Sequence, residues 1–322
     1  MRAEGIDREI LSILDLHNRV NQSHEDRARQ NWTRFIVGLT KTNRKPVTIG
    51  ILGKYTEVRD AYASIDKALE HCSSHLDAEI TQHWLEVADL TSPERAASSL
   101  ANLDGVIVPG GFGMRGVEGK INAVRHCREN GLPYLGICLG FQVAVIEYAR
   151  NVLGIEDAHS SEFSPSCTAV ISELPEQKKI EGLGGSMRLG AQDVAIEPGS
   201  LAHHLYGSTT IRERFRHRYE VDPANIDRLT EAGLEFSGHH PEFSIMQILE
   251  LPRERPEGDD RPTHPYFIGM QYHPELTSRP LRPQPTFMGL IAASLAIRHG
   301  EASLGANARW LRPVGSNSTQ PA

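Results

Sequence analysis

The sequence predicts an α/β protein with a mostly parallel sheet flanked by helices and a β-rich second half. Short apolar runs ending in glycine alternate with helical segments between residues 47 and 154. Beyond about residue 215 the segments are mainly β-like and separated by turns. No 20–50-residue period repeats, so solenoids and propellers are excluded. In open α/β sheets, functional groups gather where strands end and helices begin.

The first half supplies most of this pattern. The predicted strands are VTIGILG (47–53), EITQHWLEV (79–87), GVIVPGG (105–111) and YLGIC (134–138). The predicted helices cover residues 60–76, 118–130 and 139–154, and the first places Ala61, Ile65, Ala68, Leu69 and Cys72 on one face.

The second half and the ends read differently. Predicted strands cover 215–221, 234–240, 244–251 and 265–274, and a last helix covers 286–298. The hydrophilic stretch 253–263 is predicted to be a mobile loop. We expect one catalytic domain over 46–300, a helical lead-in and linker over 1–45, and a disordered tail over 301–322.

Composition limits the class of protein. The 322 residues are 39% hydrophobic and 23% charged, as in soluble globular proteins, and the net charge of −7 disfavours a broad nucleic-acid-binding surface. There is no apolar run long enough for a membrane span and no signal-peptide pattern. The four cysteines form no CxxC pair, which indicates neither a zinc site nor a disulfide scaffold. We therefore expect a reducing, cytoplasmic setting.

The segment GICLG (136–140) predicts a nucleophile elbow. A strand ends at Cys138, a helix follows directly, and glycines lie two residues before and two after. The partial positive charge of a helix N-terminus favours the thiolate form of Cys138. A buried structural cysteine is the alternative, and the segment alone does not decide between the two.

A base and an orienting acid are available in QYHPE (271–275). His273 and Glu275 are separated by one residue, so on a strand they would point to the same side. Glu275 could then hold the imidazole in the correct tautomer. In isolation, such a segment is more often a strand-end histidine beside a surface glutamate.

A third element is VPGGFG (108–113), whose backbone N–H groups could form an anion-binding turn. With the N–H of Leu139 this loop could stabilise an oxyanion. The alternative is a plain tight turn before a helix. Neither GxGxxG nor GxxxxGK[ST] occurs, so nucleotide binding by such loops is unsupported.

Together these motifs resemble the class I glutamine amidotransferases. Longer segments resemble the glutaminase half of the CTP synthase family, occur in that family's order and cover roughly 46–299: residues 53–71, 108–120, 136–154, 184–190, 213–221 and 272–280. So many long matches are far more specific than any one motif.

The resemblance implies roles for particular residues. Cys138 would be the nucleophile, His273 the acid and base, and Glu275 its orienting partner. Glutamine would be bound by Gly111, Leu139, Gly140, Phe141, Gln142, Glu162 and Arg218. Gly111 and Leu139 would supply the oxyanion N–H groups. GTP, the family's allosteric effector, would meet Phe112, Arg115, Glu118 and Arg188.

The resemblance also implies partners. The family joins its glutaminase to an amidoligase domain that uses ATP and Mg²⁺ to aminate UTP to CTP, and it forms homotetramers and filaments. We expect no cofactor or metal in this chain, because residues 1–45 resemble only the end of the amidoligase domain and the inter-domain linker. Phe141 and Leu276 depart from the family's frequent Met and Phe, which are apolar exchanges.

Two other functions stay open from sequence alone. One is the glutaminase of another class I amidotransferase, such as GMP synthase. The other is a non-catalytic regulatory or scaffold module. The segments GGSMRLG and RHRYEV speak against the first, and an intact triad speaks against the second.

Overall fold

The computed structural model describes residues 5–16, 19–54, 59–174 and 187–311. Its helices are α1 (Ile6–Ile13), α2 (Gln22–Thr40), α3 (Ala63–Leu76), α4 (Pro93–Leu100), α5 (Val117–Asn130), α6 (Leu139–Asn151), α7 (Leu201–Tyr206), α8 (Ile226–Glu231) and α9 (Pro285–His299). Its strands are β1 (Lys45–Gly53), β2 (Ala78–Glu86), β3 (Gly105–Val108), β4 (Tyr134–Ile137), β5 (Ala158–Ser160), β6 (Thr168–Ser172), β7 (Arg188–Ile196), β8 (Thr210–His217), β9 (Glu220–Val221), β10 (Glu235–His239), β11 (Met246–Leu251) and β12 (Phe267–Met270).

The central sheet has nine strands in the order β2-β1-β3-β4-β12-β11-β10-β7-β8. From β2 to β12 every neighbouring pair is parallel, and from β12 to β8 every pair is antiparallel. Strands β5, β6 and β9 form a separate small sheet. The predicted α/β class, with helices around a parallel sheet and a β-rich second half, is confirmed.

The order of the parallel strands brings three chain segments together. Strand β4 pairs with β3 on one side and with β12 on the other, with Gly136 opposite Val108 and Ile137 opposite Met270. The carboxyl ends of parallel strands meet at one edge of a sheet. The VPGGFG loop (108–113, called the glycine loop below), Cys138 and the segment that contains His273 therefore lie side by side.

Both faces of the sheet are covered by apolar side chains. On β1, Ile51 packs into the core formed with α3 and α9, whereas its neighbour Leu52 packs into the core formed with α5 and α6. This alternation is that of a strand buried on both faces, which is why β1 reads as a continuous apolar run.

Two regions near the ends carry structure that the sequence did not predict. Residues 22–40, within the expected linker, form the 19-residue helix α2, and its Phe35 is buried against His71 and His75 of α3. Residues 301–310 form a 3₁₀ segment with Leu304, Ala308 and Leu311 buried, so this part of the expected disordered tail is packed. Residues 312–322 lie outside the described residues.

The loop over 253–263 has no helix or strand, as predicted, but it is tied down by a buried arginine. Arg255 donates to the carbonyls of Gly233 and Pro262 and pairs with Glu235. Within the described ranges, no helix combines the length and apolarity that crossing a membrane requires.

Candidate active site

Cys138 lies at a strained junction between β4 and α6. Its φ of 53° and ψ of −98° place a non-glycine residue at positive φ, directly before the first turn of the helix. A Cβ on Gly140 would lie 2.2 Å from the Val108 carbonyl oxygen, and one on Gly136 would lie 2.6 Å from the Tyr134 hydroxyl. Both glycines are therefore required by close packing, and the predicted elbow is present.

The thiol is almost buried, with 4% of the residue exposed. The backbone N–H of Cys138 donates to the carbonyl of Met270 at 2.7 Å, which fastens the elbow to β12. Sγ lies 3.7 Å from the Arg216 carbonyl and 3.7 Å from Gln271 Nε2, which donates to it. These two contacts orient the sulfur.

His273 and Glu275 form a hydrogen-bonded pair, although not on a strand as predicted. Strand β12 ends at Met270, and Pro274–Leu276 form one 3₁₀ turn that begins just after His273. The turn brings the Glu275 carboxylate to 2.8 Å from His273 Nδ1. The His273 N–H donates to the Arg214 carbonyl at 2.8 Å, so β8 also holds the turn.

The thiol and the imidazole meet at Gly110, which sequence reasoning did not single out. A Cβ there would lie 2.9 Å from His273 Cε1 and 3.4 Å from the Cys138 Cβ. Nε2 of His273 is buried and has no hydrogen-bond partner among the described residues. Burial lowers the pKa of His273, but the Cys138 thiolate and then Glu275 outweigh it and raise this pKa to about 10. When Cys138 is a thiolate, the imidazolium is thus the favoured form of His273 at neutral pH.

A cavity of about 280 Å³ opens beside the thiol. Its lining contains Cys138 and five of the residues predicted to bind substrate: Gly111, Leu139, Gln142, Glu162 and Arg218. The other two, Gly140 and Phe141, are buried beneath it and do not line it. A second cavity, of about 260 Å³, is lined by Cys138, His273 and Glu275.

The first cavity carries complementary charges. Burial raises the pKa of Glu162, while the Gly113 backbone, Arg218 and Lys54 act against this rise. Arg218 is exposed at the cavity mouth. Gln142 donates to the Tyr219 carbonyl at 2.9 Å and to Gln271 Oε1 at 3.1 Å, so its amide is fixed. A carboxylate and a guanidinium at one cavity suit an amino acid's ammonium and carboxylate groups.

Three of the four predicted GTP residues lie at the surface. The Phe112 ring is exposed and stacks with Arg216, whose guanidinium carbon is 5.6 Å from the ring centroid. Arg115 pairs with Glu86 at 3.3 Å. Glu118 pairs with Arg150 at 2.8 Å, and its bonds, first to His159 and then to Arg150, lower its pKa to about 2.

Arg188, the fourth, is not available in this structure. Its side chain is fully buried, lies 3.4 Å from Glu220 and packs over the Phe215 ring at 4.3 Å. Sequence could not reveal this, because the partners are brought together only by β7, β8 and β9.

Sequence reasoning also missed two buried lysines beneath the glycine loop. Lys54 donates to the carbonyls of Phe112 and Gly113, and Lys120 donates to that of Pro109. Lys120 lies on the same helical face as Val117 and Val124, and a lysine on an apolar stripe was the available signal. In the described part of the chain, no cluster of three or more acidic, histidine or cysteine side chains could hold a metal ion.

Comparison with known proteins identifies the family of this chain. The family model for glutamine amidotransferase class-I matches residues 57–293. The CTP synthase of Methanopyrus kandleri is 47% identical over 267 residues, which is 82% of this chain and 48% of that protein. The CTP synthase of Sulfurisphaera tokodaii is 43% identical over 299 residues, 92% of this chain and 53% of that protein. The chain thus spans about half the length of these relatives.

A solved structure is similar over nearly all of its own length. The glutaminase domain of the Trypanosoma brucei CTPS with bound acivicin is 37% identical, with a TM-score of 0.69, and the alignment covers 77% of this chain and 93% of that domain. The chain therefore belongs to the class I glutamine amidotransferases and is a glutaminase domain of the CTP synthase type.

Proposed function

We propose that this chain hydrolyses L-glutamine with Cys138 as nucleophile, His273 as acid and base, and Glu275 as the residue that orients the imidazole. The observation that carries the proposal is the meeting of the thiol and the imidazole at Gly110, beside a cavity lined by Glu162 and Arg218. Glu162 would receive the α-ammonium of glutamine and Arg218 its α-carboxylate.

The reaction follows from these positions. The Cys138 thiolate adds to the carboxamide carbon, and the carbonyl oxygen becomes an oxyanion held by N–H groups at Gly111 and Leu139. Imidazolium His273 gives its proton to the nitrogen as the C–N bond breaks, so ammonia leaves and a glutamyl thioester stays on sulfur. Neutral His273 then removes a proton from water, which attacks the thioester and releases glutamate with the thiolate restored.

We further propose that the ammonia serves an amidoligase domain that aminates UTP to CTP with ATP and Mg²⁺, in a family homotetramer or filament. The similarity to CTP synthases over about half of their length supports this acceptor. GTP would act as effector near Phe112, Arg115 and Glu118.

The first test is glutamate release by the purified chain and by Cys138→Ala. We expect release by the wild type above the variant's background, together with covalent labelling of Cys138 by an electrophilic glutamine analogue. Cys72 and Cys127 are fully buried, and burial raises their thiol pKa values, so they should stay unlabelled. Cys167→Ser is the matched control and should label like wild type. Glutamate release equal to Cys138→Ala would favour a scaffold function.

The second test is a paired assay of glutamate and CTP with UTP and ATP present. We expect the chain alone to make no CTP and to respond little to GTP, because the family's activation depends on the interface with the amidoligase domain. Addition of a separately expressed amidoligase domain should restore part of the coupling. CTP formed by this chain alone would contradict the assignment, and coupling to xanthosine monophosphate amination instead would favour a GMP synthase acceptor.

A further inference from the structure

Lys120 is a buried lysine that the proposed mechanism does not use. Only 1% of the residue is exposed, and it lies in the first turn of α5. Its Nζ donates to the Pro109 carbonyl at 2.8 Å, at the start of the glycine loop. Burying an ammonium is costly unless the charge is compensated nearby, so its place calls for an explanation.

The glycine loop is held from both ends by lysines. Lys120 binds the carbonyl of Pro109, and Lys54 binds those of Phe112 at 2.9 Å and Gly113 at 2.5 Å. In a trans peptide the C=O and the following N–H point in opposite directions. Pinning these carbonyls below the loop therefore turns the adjoining N–H groups away from the lysines. Gly111 lies between the two anchors.

The ammonium of Lys120 is also close to where negative charge develops. A Cβ built on Gly111 would lie 3.9 Å from Lys120 Nζ and 3.7 Å from Leu139 Cδ2. The charged groups acting on Lys120 are Lys54, at the end of β1, and Cys138. Burial and, after it, Lys54 lower the pKa of Lys120 to about 7, and a charged Cys138 acts against this fall. By Coulomb's law, an ammonium at this place would act in turn on negative charge at Cys138.

We propose that Lys120 is a positioning residue of the glutaminase site, whose ammonium fixes the oxyanion loop through Pro109 and supplies positive charge that favours the Cys138 thiolate. The part concerning the oxyanion rests on the proposed function. The part concerning the thiolate does not, because it can be measured without glutamine.

The test compares Lys120→Met, which keeps the apolar stem, with Lys120→Arg, which keeps a positive charge. Alkylation of Cys138 by iodoacetamide from pH 5.5 to 9, followed by mass spectrometry, reports thiolate directly. In Lys120→Met we expect a midpoint about one pH unit higher and roughly tenfold slower alkylation at pH values below that midpoint. Lys67→Met removes an exposed lysine paired with Glu70 and is the matched control, with an unchanged midpoint.

Steady-state kinetics supply the second readout. Lys120→Met should lower kcat for glutamine roughly 10- to 100-fold with little change in KM, because the loop acts on the oxyanion and not on the bound ground state. Lys120→Arg should stay closer to wild type in both measurements.

The outcomes separate the two proposals. A midpoint shift in a chain that releases no glutamate would support Lys120 and contradict the proposed function. An unchanged midpoint in folded Lys120→Met overturns the role of Lys120 whatever the activity. If Lys120→Met does not fold, Lys120→Arg decides the question: a midpoint at or below that of wild type supports the charge, and a higher midpoint refutes it.

Discussion

Cys138 and His273 follow neighbouring parallel strands, β4 and β12, yet they are held in place by different means. The elbow at Cys138 depends mainly on backbone geometry and close packing: a strained backbone at Cys138 and two nearby glycines whose Cβ positions are filled by other atoms, among them the Val108 carbonyl oxygen on β3. The turn at His273 is fixed by polar bonds to residues far away in sequence, such as the carbonyl of Arg214 on β8. Local constraint is visible in a sequence pattern, whereas long-range support is not.

The support of the turn continues beneath it. The Thr277 hydroxyl contacts the Pro274 carbonyl at 3.0 Å and the Glu213 carboxylate at 2.8 Å. Glu213 also accepts from Gln284 Nε2 at 2.7 Å, and Gln284 caps α9. The turn is thereby attached both to β8 and to the last helix. Weakening each kind of support in turn tests whether the two regions differ as described.

The largest effect is expected at the imidazole itself. His273→Ala removes the proton donor and acceptor and should lower kcat on the order of 10²–10⁴-fold. Glu275→Gln should cost less, because Glu275 orients the ring through one bond of 2.8 Å and transfers no proton. Initial rates of glutamate release for both variants check the order, and Glu197→Gln, an exposed acid, is the control. If Glu275→Gln were the more damaging change, the roles of the two residues would have to be exchanged.

The next largest loss of activity is expected from a change at the elbow. Gly140→Ala would put a carbon 2.2 Å from the Val108 carbonyl oxygen, so α6 must shift relative to β3. A shift of about 1 Å at the nucleophile typically costs roughly 10²-fold in rate. The variant should also unfold at lower denaturant concentration. Gly111→Ala is the matched control for stability, because its added carbon meets no atom closer than 3.7 Å. Equal stability of the two variants would show that the elbow is not held by packing.

This contrast explains how far sequence alone could go. The segment GICLG predicts the elbow because the end of the strand, the nucleophile and both glycines lie within five residues. The pairing of His273 with Glu275 was predicted correctly from a wrong premise, since a 3₁₀ turn and not a strand brings them together. The buried place of Arg188 and the network of Glu213 depend on residues from several strands, so no local pattern encodes them. Helix α2 escaped prediction because Phe35 is its one buried residue among those described, which leaves no apolar periodicity.

The network below the turn should contribute moderately. Glu213→Gln keeps the shape of the side chain but leaves an amide opposite Gln284 Nε2, and we expect kcat to fall roughly tenfold with KM little changed. Steady-state kinetics check this, and a changed KM with constant kcat would place the effect in glutamine binding instead.

Glu213→Gln should also change the response of stability to pH. Burial raises the pKa of Glu213 from 4.5 to about 7, although bonds from Thr277, Tyr206 and Gln284 act against the rise. Because the folded pKa exceeds the unfolded one, the stability this group contributes is present below pH 4.5 and lost as pH rises through 7. The free energy of unfolding, measured with urea at pH 4.5 and at pH 7, should therefore fall less between these pH values for Glu213→Gln than for wild type. An equal loss would mean that Glu213 does not titrate in this range.

The smallest effect on activity is expected from a change in α2. This change tests whether the long-range support of the turn at His273 reaches as far as α2. His71 and His75 of α3 bind the segment after the turn, through Ser278 Oγ at 2.8 Å and the Pro280 carbonyl at 2.8 Å. Helix α3 also contacts Phe35 of α2, whose backbone carbonyl accepts a hydrogen bond from Ser74 Oγ of α3 at 2.7 Å.

Phe35→Ala should release α2, because the rest of that helix has little buried surface and can detach without unfolding the sheet. Hydrogen exchange over residues 22–40 should then rise strongly, while kcat stays within about twofold of wild type, since α3 is buried against the core independently of α2. Ile36→Ala, at a neighbouring exposed position, is the control and should alter neither measurement. A tenfold loss of kcat on release of α2 would instead show that the support of His273 reaches through α3 to α2. The difference from the elbow at Cys138, whose glycines lie within five residues, would then be larger.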